Sequence, residues 1–195
     1  MTSISPLKFI HKKGVFGNHY KTNEKDLIKI SEIKDLNIFQ IYHYKKSTIS
    51  NQNLKIDNLR FPIENSKVNS SSQTRVIWSA PRTWLIITKD NNIAKTVYTE
   101  FDPKHFGITD ISNSRAVIQI EGFNSIEILK KGSPINFNEF KKDDAVSTVF
   151  HGINILIDFV DKNPDRLNLF CLRSFGETFY HHITDASLEY GYNGN

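Results

Sequence analysis

The stretch RAVIQIEGFNSIEILKKG, Arg115–Gly132, decides the fold of this chain. Its first half is rich in β-branched residues and predicts a strand, and its second half predicts a short helix. Asn124 stands at the N-cap position with Glu127 three residues later, which is a capping box, and Gly132 follows two lysines as a helix stop. A strand followed by a helix with clear N-cap and helix-stop residues predicts an α+β fold.

The same alternation continues on both sides of this stretch. From Trp84 onward the predicted order is strand, helix, strand, strand, helix, strand, strand, strand, helix. Asp90 supplies the N-cap of the first helix. The segments HFGITDIS, 105–112, and RAVIQIEG, 115–122, are expected to form an antiparallel pair around a polar turn. We therefore predict an α+β protein with the ferredoxin-like split βαβ arrangement and a mainly antiparallel sheet backed by helices.

The first third of the chain differs from the rest in its hydrophobic pattern. It contains one clear strand, NIFQIYHYK at 37–45, and then a polar tract at 45–74 without a sustained period. The clustered Ser and Asn residues of that tract predict a long surface loop or an arm. The predicted organisation is an N-terminal strand with a polar arm at 1–73 and an α+β domain at 74–195, together forming one compact unit.

The composition excludes several classes of protein. The net charge of +4 comes from 19 lysines against 6 arginines, in short segments such as HKK at 11–13 and YKK at 44–46, so no nucleic-acid surface is predicted. One cysteine, Cys171, excludes an internal disulfide and a CxxC motif, and a reducing cytoplasm is the expected compartment. No apolar run is long enough for a membrane span or a secretory signal.

The closing segment RSFGETFYHHITDASLEYG, 173–191, contains two adjacent histidines that could suggest chemistry. Ser174 and Glu177 form a second capping box, and at about 100° per residue one apolar stripe runs along the predicted helix. On this helix His181 points to solvent and His182 lies beside the stripe, so the two cannot bind one metal ion. The predicted stripe comprises Phe175, Phe179, Ile183, Ala186 and Tyr190.

Other candidate sites carry equally ordinary interpretations. Cys171 alternates with Leu167 and Leu169 on one face of a strand, which favours a buried thiol. The turn TDISNSRA, 109–116, holds Asp110 and Ser112, which could bind a ligand or a neighbouring chain but also simply build turns. Motifs for dinucleotides, nucleoside triphosphates, serine hydrolases, zinc proteases and calcium are missing from the sequence. We therefore predict no catalytic, cofactor-binding or metal-binding residue in this chain.

Five segments taken together resemble the gamma subunit of heterotetrameric sarcosine oxidase, a relative of the glycine cleavage T protein. They are APRTWLIIT, ITDISNSRAVIQIEG, ILKKGSPINF, DDAVSTVFHGINILI and RSFGETFYHHITDASLEYG. The resemblance as a whole runs from about Val76 to Gly191. The D-x-S turn with the later Gly122 and Gly132 is shared with the wider T-protein group. The R-S-F segment ending in E-Y-G is more particular to the gamma subunit. Arg82 and Thr83 depart from the family pattern, which usually has an acidic pair there.

The resemblance implies a cytoplasmic flavoenzyme complex that oxidises sarcosine to glycine with release of hydrogen peroxide and, with tetrahydrofolate, methylenetetrahydrofolate. It implies FAD, FMN and NAD in the alpha and beta chains, zinc in the delta chain, and no cofactor in this one. The expected partners are the alpha, beta and delta subunits, mainly alpha. The residues expected to be structural or to lie at an interface are Trp84, Asp110, Ser112, Arg173, Ser174 and Glu177.

Two other classes of function stay open from the sequence. The first is a stand-alone folate-binding protein or aminomethyltransferase of the T-protein group, although such proteins are typically much longer. The second is a nucleic-acid-binding module, which would bind with a steep dependence on salt.

Overall fold

The computed structural model describes residues 4–20, 23 and 26–195. Within these residues it contains three α-helices, α1 to α3, with the bounds Asn91–Glu100, Ser125–Lys130 and Gly176–Ser187. The strands β1 to β14 are Gly14–Phe16, Ile28–Glu32, Asn37–His43, Lys55–Ile56, Leu59–Arg60, Val68–Ser70, Thr74–Ala80, Thr83–Thr88, Phe106–Asp110, Arg115–Glu121, Ala145–Phe150, Ile153–Asp161, Arg166–Leu172 and Tyr192–Gly194. The predicted order of strands and helices from Trp84 to α3 is confirmed.

The chain divides into two compact units. The terminal unit comprises the described residues up to Lys34 together with Asn113–Lys142 and Val146–Asn195, and the central unit comprises Asp35–Ser112 with Asp143–Ala145. The boundary predicted at residue 73 falls inside the central unit, where β6 pairs with β7 across it. Seven residues of the predicted N-terminal segment, 1–3, 21, 22, 24 and 25, lie outside the described residues.

The terminal unit is built on a seven-stranded sheet with the order β1-β14-β2-β10-β13-β12-β11. Strand β10 runs antiparallel to both β2 and β13, and β12 runs antiparallel to β13. Strands β10 and β12 are therefore parallel to each other, and β13 lies between them in the sheet. Helix α2 lies between β10 and β12 in the sequence. This is the predicted split βαβ arrangement, and the predicted α+β class with mainly antiparallel pairing is confirmed.

The central unit repeats the arrangement on a smaller scale. Its five-stranded sheet has the order β6-β7-β8-β3-β9, and β3 runs antiparallel to both β8 and β9. Strands β8 and β9 flank α1 in sequence and are parallel with β3 between them, which is a second split βαβ element. In α1 the predicted N-cap is confirmed, because an Asp90 carboxylate oxygen accepts from the Asn92 N–H at 2.7 Å.

The predicted pairing of HFGITDIS with RAVIQIEG is wrong. Strand β9 pairs with β3 in the central unit, whereas β10 pairs with β2 and β13 in the terminal unit. The connection between them forms a 3-10 turn at Ser112–Ser114 rather than a hairpin. Pairing is decided by buried faces far apart in sequence, and a short polar connection alone does not specify a hairpin.

The tract at 45–74, predicted to be a long surface loop or an arm, is more ordered than that prediction. The tract supplies strands β4 to β6, and its apolar side chains enter the core cluster of the central unit. The Trp84 indole N–H donates to the Pro62 carbonyl at 2.8 Å, which ties the tract to β8. These apolar residues are spaced irregularly and so show no period in the sequence: Leu54, Ile56, Phe61 and Val68 are each at most 5% exposed.

Helix α3 packs on the core of the terminal unit, as predicted, but over a different arc. Phe179 and Ile183 are fully buried and Ala186 is 8% exposed, whereas Phe175 is 47% exposed. The α-helix begins only at Gly176, after a 3-10 turn at Arg173–Phe175 whose residues do not follow the 100° rotation. Its N-cap carries no side-chain hydrogen bond, so the capping box predicted from Ser174 and Glu177 is wrong.

Helix α2 lacks its predicted capping box as well. Asn124 makes no side-chain cap bond, and the Glu127 carboxylate pairs with the Lys130 ammonium at 2.6 Å instead. Gly132 is not in the left-handed conformation of a helix stop. It is required by crowding, because a Cβ there would lie 2.9 Å from the Phe150 ring and 2.8 Å from the His151 ring.

We expect Gly132→Ala to lower the free energy of unfolding by about 1 to 3 kcal/mol, since the added methyl group overpacks the site. In a Phe150→Leu background the same change should cost less than half as much, because the Phe150 ring atoms are gone and the exposed His151 ring can move aside. Urea unfolding of the four proteins of this cycle measures both values. An undiminished cost in the Phe150→Leu background would show that crowding by Phe150 is not the cause.

The two phenylalanines of the predicted stripe should differ sharply. Phe179→Ala empties a buried site and should cost about 3 to 5 kcal/mol, whereas Phe175→Ala should change stability by less than about 0.5 kcal/mol. Chemical unfolding of the isolated chain tests this, with Phe175→Ala as the matched control. Equal costs would contradict the observed start of α3 at Gly176.

Candidate functional site

Three of the six expected site residues meet at one cavity in the terminal unit. Arg173, Ser174 and Glu177 lie where β13 passes through the 3-10 turn into α3, and they line a cavity of about 700 Å³. The Arg173 guanidinium donates to the Ile4 carbonyl, which holds the N-terminal segment beside the cavity. The full lining is Pro6, Asn113, Ser114, Leu172, Arg173, Ser174, Glu177 and Thr178.

This cavity suits binding better than catalysis. Its lining offers one cation, one carboxylate, an amide and three hydroxyls, but no histidine, cysteine or lysine. General acid–base catalysis near neutral pH is carried out most often by histidine, which this lining lacks. The arrangement can hydrogen-bond a polar group of a partner or a ligand.

The other three expected residues lie in the central unit, and their polar groups are bonded within the chain. Trp84 is 1% exposed and donates to Pro62. An Asp110 carboxylate oxygen accepts from the Ser112 N–H at 2.9 Å and from the Ser112 hydroxyl at 2.6 Å. The Ser112 Oγ in turn accepts from the Ile38 N–H at 2.9 Å. These bonds stabilise the turn after β9.

The paired histidines differ in exposure, as predicted, but both line a second cavity of about 470 Å³. His181 is exposed on α3, and His182 is half-buried with its ring centroid 5.2 Å from that of His151. Over the part of the chain that the structure describes, no three His, Cys, Asp or Glu side chains come together in a way that could hold a metal ion. The histidines do not form a chelating pair.

Cys171 is buried in β13, also as predicted. Its side chain belongs to the core cluster of the terminal unit and is 2% exposed. Burial raises the pKa of the Cys171 thiol to about 12, although the positive charge of Arg115 acts in the opposite direction. The thiolate is the nucleophilic form, so this cysteine is inert near neutral pH.

A second cavity of the terminal unit was not anticipated from the sequence. It has a volume of about 470 Å³, and two buried tyrosines, Tyr180 and Tyr192, contribute to its wall. Burial raises the pKa of both phenols, which stay neutral hydroxyls. Tyr180 lies outside the narrow apolar stripe on which the sequence prediction rested, because α3 buries a wider arc that includes Thr184 and Ser187. Small polar residues such as Thr184 and Ser187 can be buried beside an apolar stripe. Their position next to the stripe is the sequence signal that could have located this face of α3.

Two solved structures share this fold. One, described as "Heterotetrameric Sarcosine Oxidase from Corynebacterium sp. U-96 in complex with pyrrole 2-carboxylate", superposes with a TM-score of 0.76 at 18% identity, covering 95% of this chain and 96% of that chain. The other is glycine cleavage system aminomethyltransferase T from Bartonella henselae, with a TM-score of 0.59 at 9% identity. That match covers 80% of this chain but only 45% of the longer one. A comparison with curated protein sequences finds no match.

The fold therefore defines the class: an α+β protein with the architecture found in a sarcosine oxidase chain and in the T protein. The family model described as "Sarcosine oxidase, gamma subunit family" matches residues 48–189. The chain therefore belongs to the family of sarcosine oxidase gamma subunits.

Among the residues that the structure describes, no helix has the length and apolar character needed to span a bilayer.

The shifted pKa of Cys171 predicts a pH dependence of stability. The thiol titrates from 9.0 in the unfolded chain but only near 12 in the folded one, so its contribution is complete below pH 9.0 and declines between these values. Unfolding free energies measured across this range should fall more steeply for the wild-type chain than for Cys171→Ala. Parallel curves for the two proteins would contradict a buried, neutral thiol.

Proposed function

We propose that this chain is a non-catalytic, cytoplasmic gamma subunit that docks mainly on the alpha chain of a heterotetrameric sarcosine oxidase. The complex oxidatively demethylates sarcosine to glycine and forms hydrogen peroxide and methylenetetrahydrofolate. The observation that carries the proposal is the family match over residues 48–189, which spans parts of both compact units. The fold match over nearly the whole length of both chains supports it.

The side chains with reactive groups favour a non-catalytic role. The buried thiol of Cys171 is neutral at physiological pH, and His181 is exposed whereas His182 is half-buried. Asp110 and Ser112 use their polar atoms to close a turn. Neither Cys171 nor Ser112 is therefore an activated nucleophile with an adjacent base, which covalent catalysis requires.

Cofactor chemistry is assigned in this proposal to the partner chains. FAD, FMN and NAD belong to the alpha and beta subunits, zinc to the delta subunit, and tetrahydrofolate to the assembled enzyme. The donor sets of this chain fit that assignment, since the described residues bring together no group of His, Cys, Asp or Glu suited to zinc. In the same scheme Arg173, Ser174 and Glu177 contribute to an interface, and Trp84, Asp110 and Ser112 maintain the central unit.

Affinity purification of the tagged full-length chain from its native cells tests the proposal. We expect flavin-containing chains to be recovered with it, together with sarcosine-dependent formation of hydrogen peroxide. The purified chain alone should form none. Recovery of the chain without flavoprotein partners would refute the assignment as a subunit.

Folate binding separates this proposal from a stand-alone protein of the T-protein group. The isolated chain should show no tetrahydrofolate binding by calorimetry, whereas the purified complex should bind it. Micromolar or tighter binding by the isolated chain would contradict the purely structural role.

A further inference from the structure

The cationic segment YKK at 44–46 has no part in the function proposed so far. It follows β3 in the central unit and forms a turn, in which the Ser47 N–H donates to the Tyr44 carbonyl at 3.1 Å. Lys45 and Lys46 occupy the tip of this turn, and both are exposed. The turn therefore presents two lysines together at one end of the five-stranded sheet.

Two further segments bring cations to the same end of the sheet. Arg82, in the turn between β7 and β8, donates from its guanidinium to the Tyr44 carbonyl at 3.0 Å, and its own carbonyl accepts from the His43 N–H. Lys104 is exposed and precedes His105, whose carbonyl accepts from the Tyr44 N–H at 2.9 Å. Residues scattered over sixty positions of the sequence thus converge around one tyrosine.

Aromatic side chains lie among these cations. Tyr42 and Tyr44 are 38% and 37% exposed, and their ring centroids are 5.8 Å apart in an edge-to-face arrangement. Tyrosine and arginine are the residue types most enriched at the energetically important centres of protein interfaces. We call the set the tyrosine–lysine patch; it consists of Tyr42, Tyr44, Lys45, Lys46, Arg82 and Lys104.

The charge of the patch is not balanced by ion pairs among the residues that the structure describes. None of its four cations makes an ion pair with a carboxylate among the described residues, whereas Lys29, Lys67 and Arg166 elsewhere in the chain do. The nearby acid Asp102 accepts a hydrogen bond from the Lys104 backbone N–H at 2.8 Å but forms no ion pair with the Lys104 ammonium. The patch carries uncompensated positive charge beside exposed aromatic rings.

We infer that the tyrosine–lysine patch is a docking surface for an acidic segment of another subunit of the oxidase. Carboxylates of that segment would pair with the lysines and Arg82, and its apolar groups would cover the tyrosine rings. Complementary charge of this kind sets the orientation and the rate of association, while the aromatic contacts supply burial. The inference rests on the proposed function, because it requires partner subunits.

Charge reversal at the three exposed lysines tests the inference. We expect the triple variant Lys45→Glu, Lys46→Glu, Lys104→Glu of the tagged full-length chain to recover about tenfold less flavin per mole from cell extract, because attraction becomes repulsion. The matched control is Lys55→Glu, Lys89→Glu, Lys95→Glu, which makes the same charge change at exposed lysines of the same unit. The control should recover flavin like the wild-type chain, and thermal melting should confirm that both variants fold.

A salt titration provides a second measurement that does not depend on a variant. Flavin recovery by the wild-type chain should fall as salt is raised, because exposed charges are screened. Equal recovery by the two triple variants, whether high or low, would overturn the inference and leave the proposed function standing. No flavin recovery by the wild-type chain would overturn both. Tight, salt-sensitive binding of single-stranded RNA that only the patch variant loses would assign the surface to nucleic acid and overturn the protein partner.

Discussion

The pairing of β10 with β13 is the constraint on which the terminal unit depends. The two strands are in register over seven residues, from Arg115 opposite Leu172 to Glu121 opposite Arg166. A slip of one residue would move every apolar side chain to the opposite face of the sheet. In the observed register, the face of the sheet that packs into the core carries Ala116, Ile118, Ile120, Leu167, Leu169 and Cys171, none more than 2% exposed. The register therefore determines which face α3 can cover.

The local sequence pattern predicts the order of strands and helices correctly but predicts strand partners wrongly, and this constraint explains the difference. Alternation within one strand and the Asp90 cap of α1 are local properties, so the order of elements from Trp84 to α3 could be predicted. Strand partners are not local. Strand β9 is joined to β10 in sequence by the polar turn that begins at Ser112. Each of the two strands nevertheless pairs with strands from other parts of the chain. Only the completed sheets specify these pairs.

The capping boxes fail for a related reason. A Ser or Asn followed three residues later by Glu predicts a reciprocal bond, but the motif competes with other partners of the same side chains. Glu127 finds Lys130, and Ser174 lies in a 3-10 turn that precedes the helix. The sequence also predicts that α2 ends before Gly132, which is confirmed, but for a wrong reason. Gly132 leaves room for the rings of Phe150 and His151, and crowding by side chains distant in the sequence leaves no trace in the local pattern.

The candidate functional residues show the same contrast between features visible in the local sequence and features that the folded sheets bring together. The residues that attract attention in the sequence are the histidine pair and the cysteine; in the structure His181 is exposed, His182 is half-buried and Cys171 is a buried thiol. The patch around Tyr44 has no sequence signature, because Lys45, Arg82 and Lys104 belong to three separate turns. Only the antiparallel placement of β8 and β9 on either side of β3 brings these turns to one end of the sheet. The five-stranded sheet thus acts as the support that brings these cations together, and a change that shifted its strand register would disperse their charge without altering any of the cations.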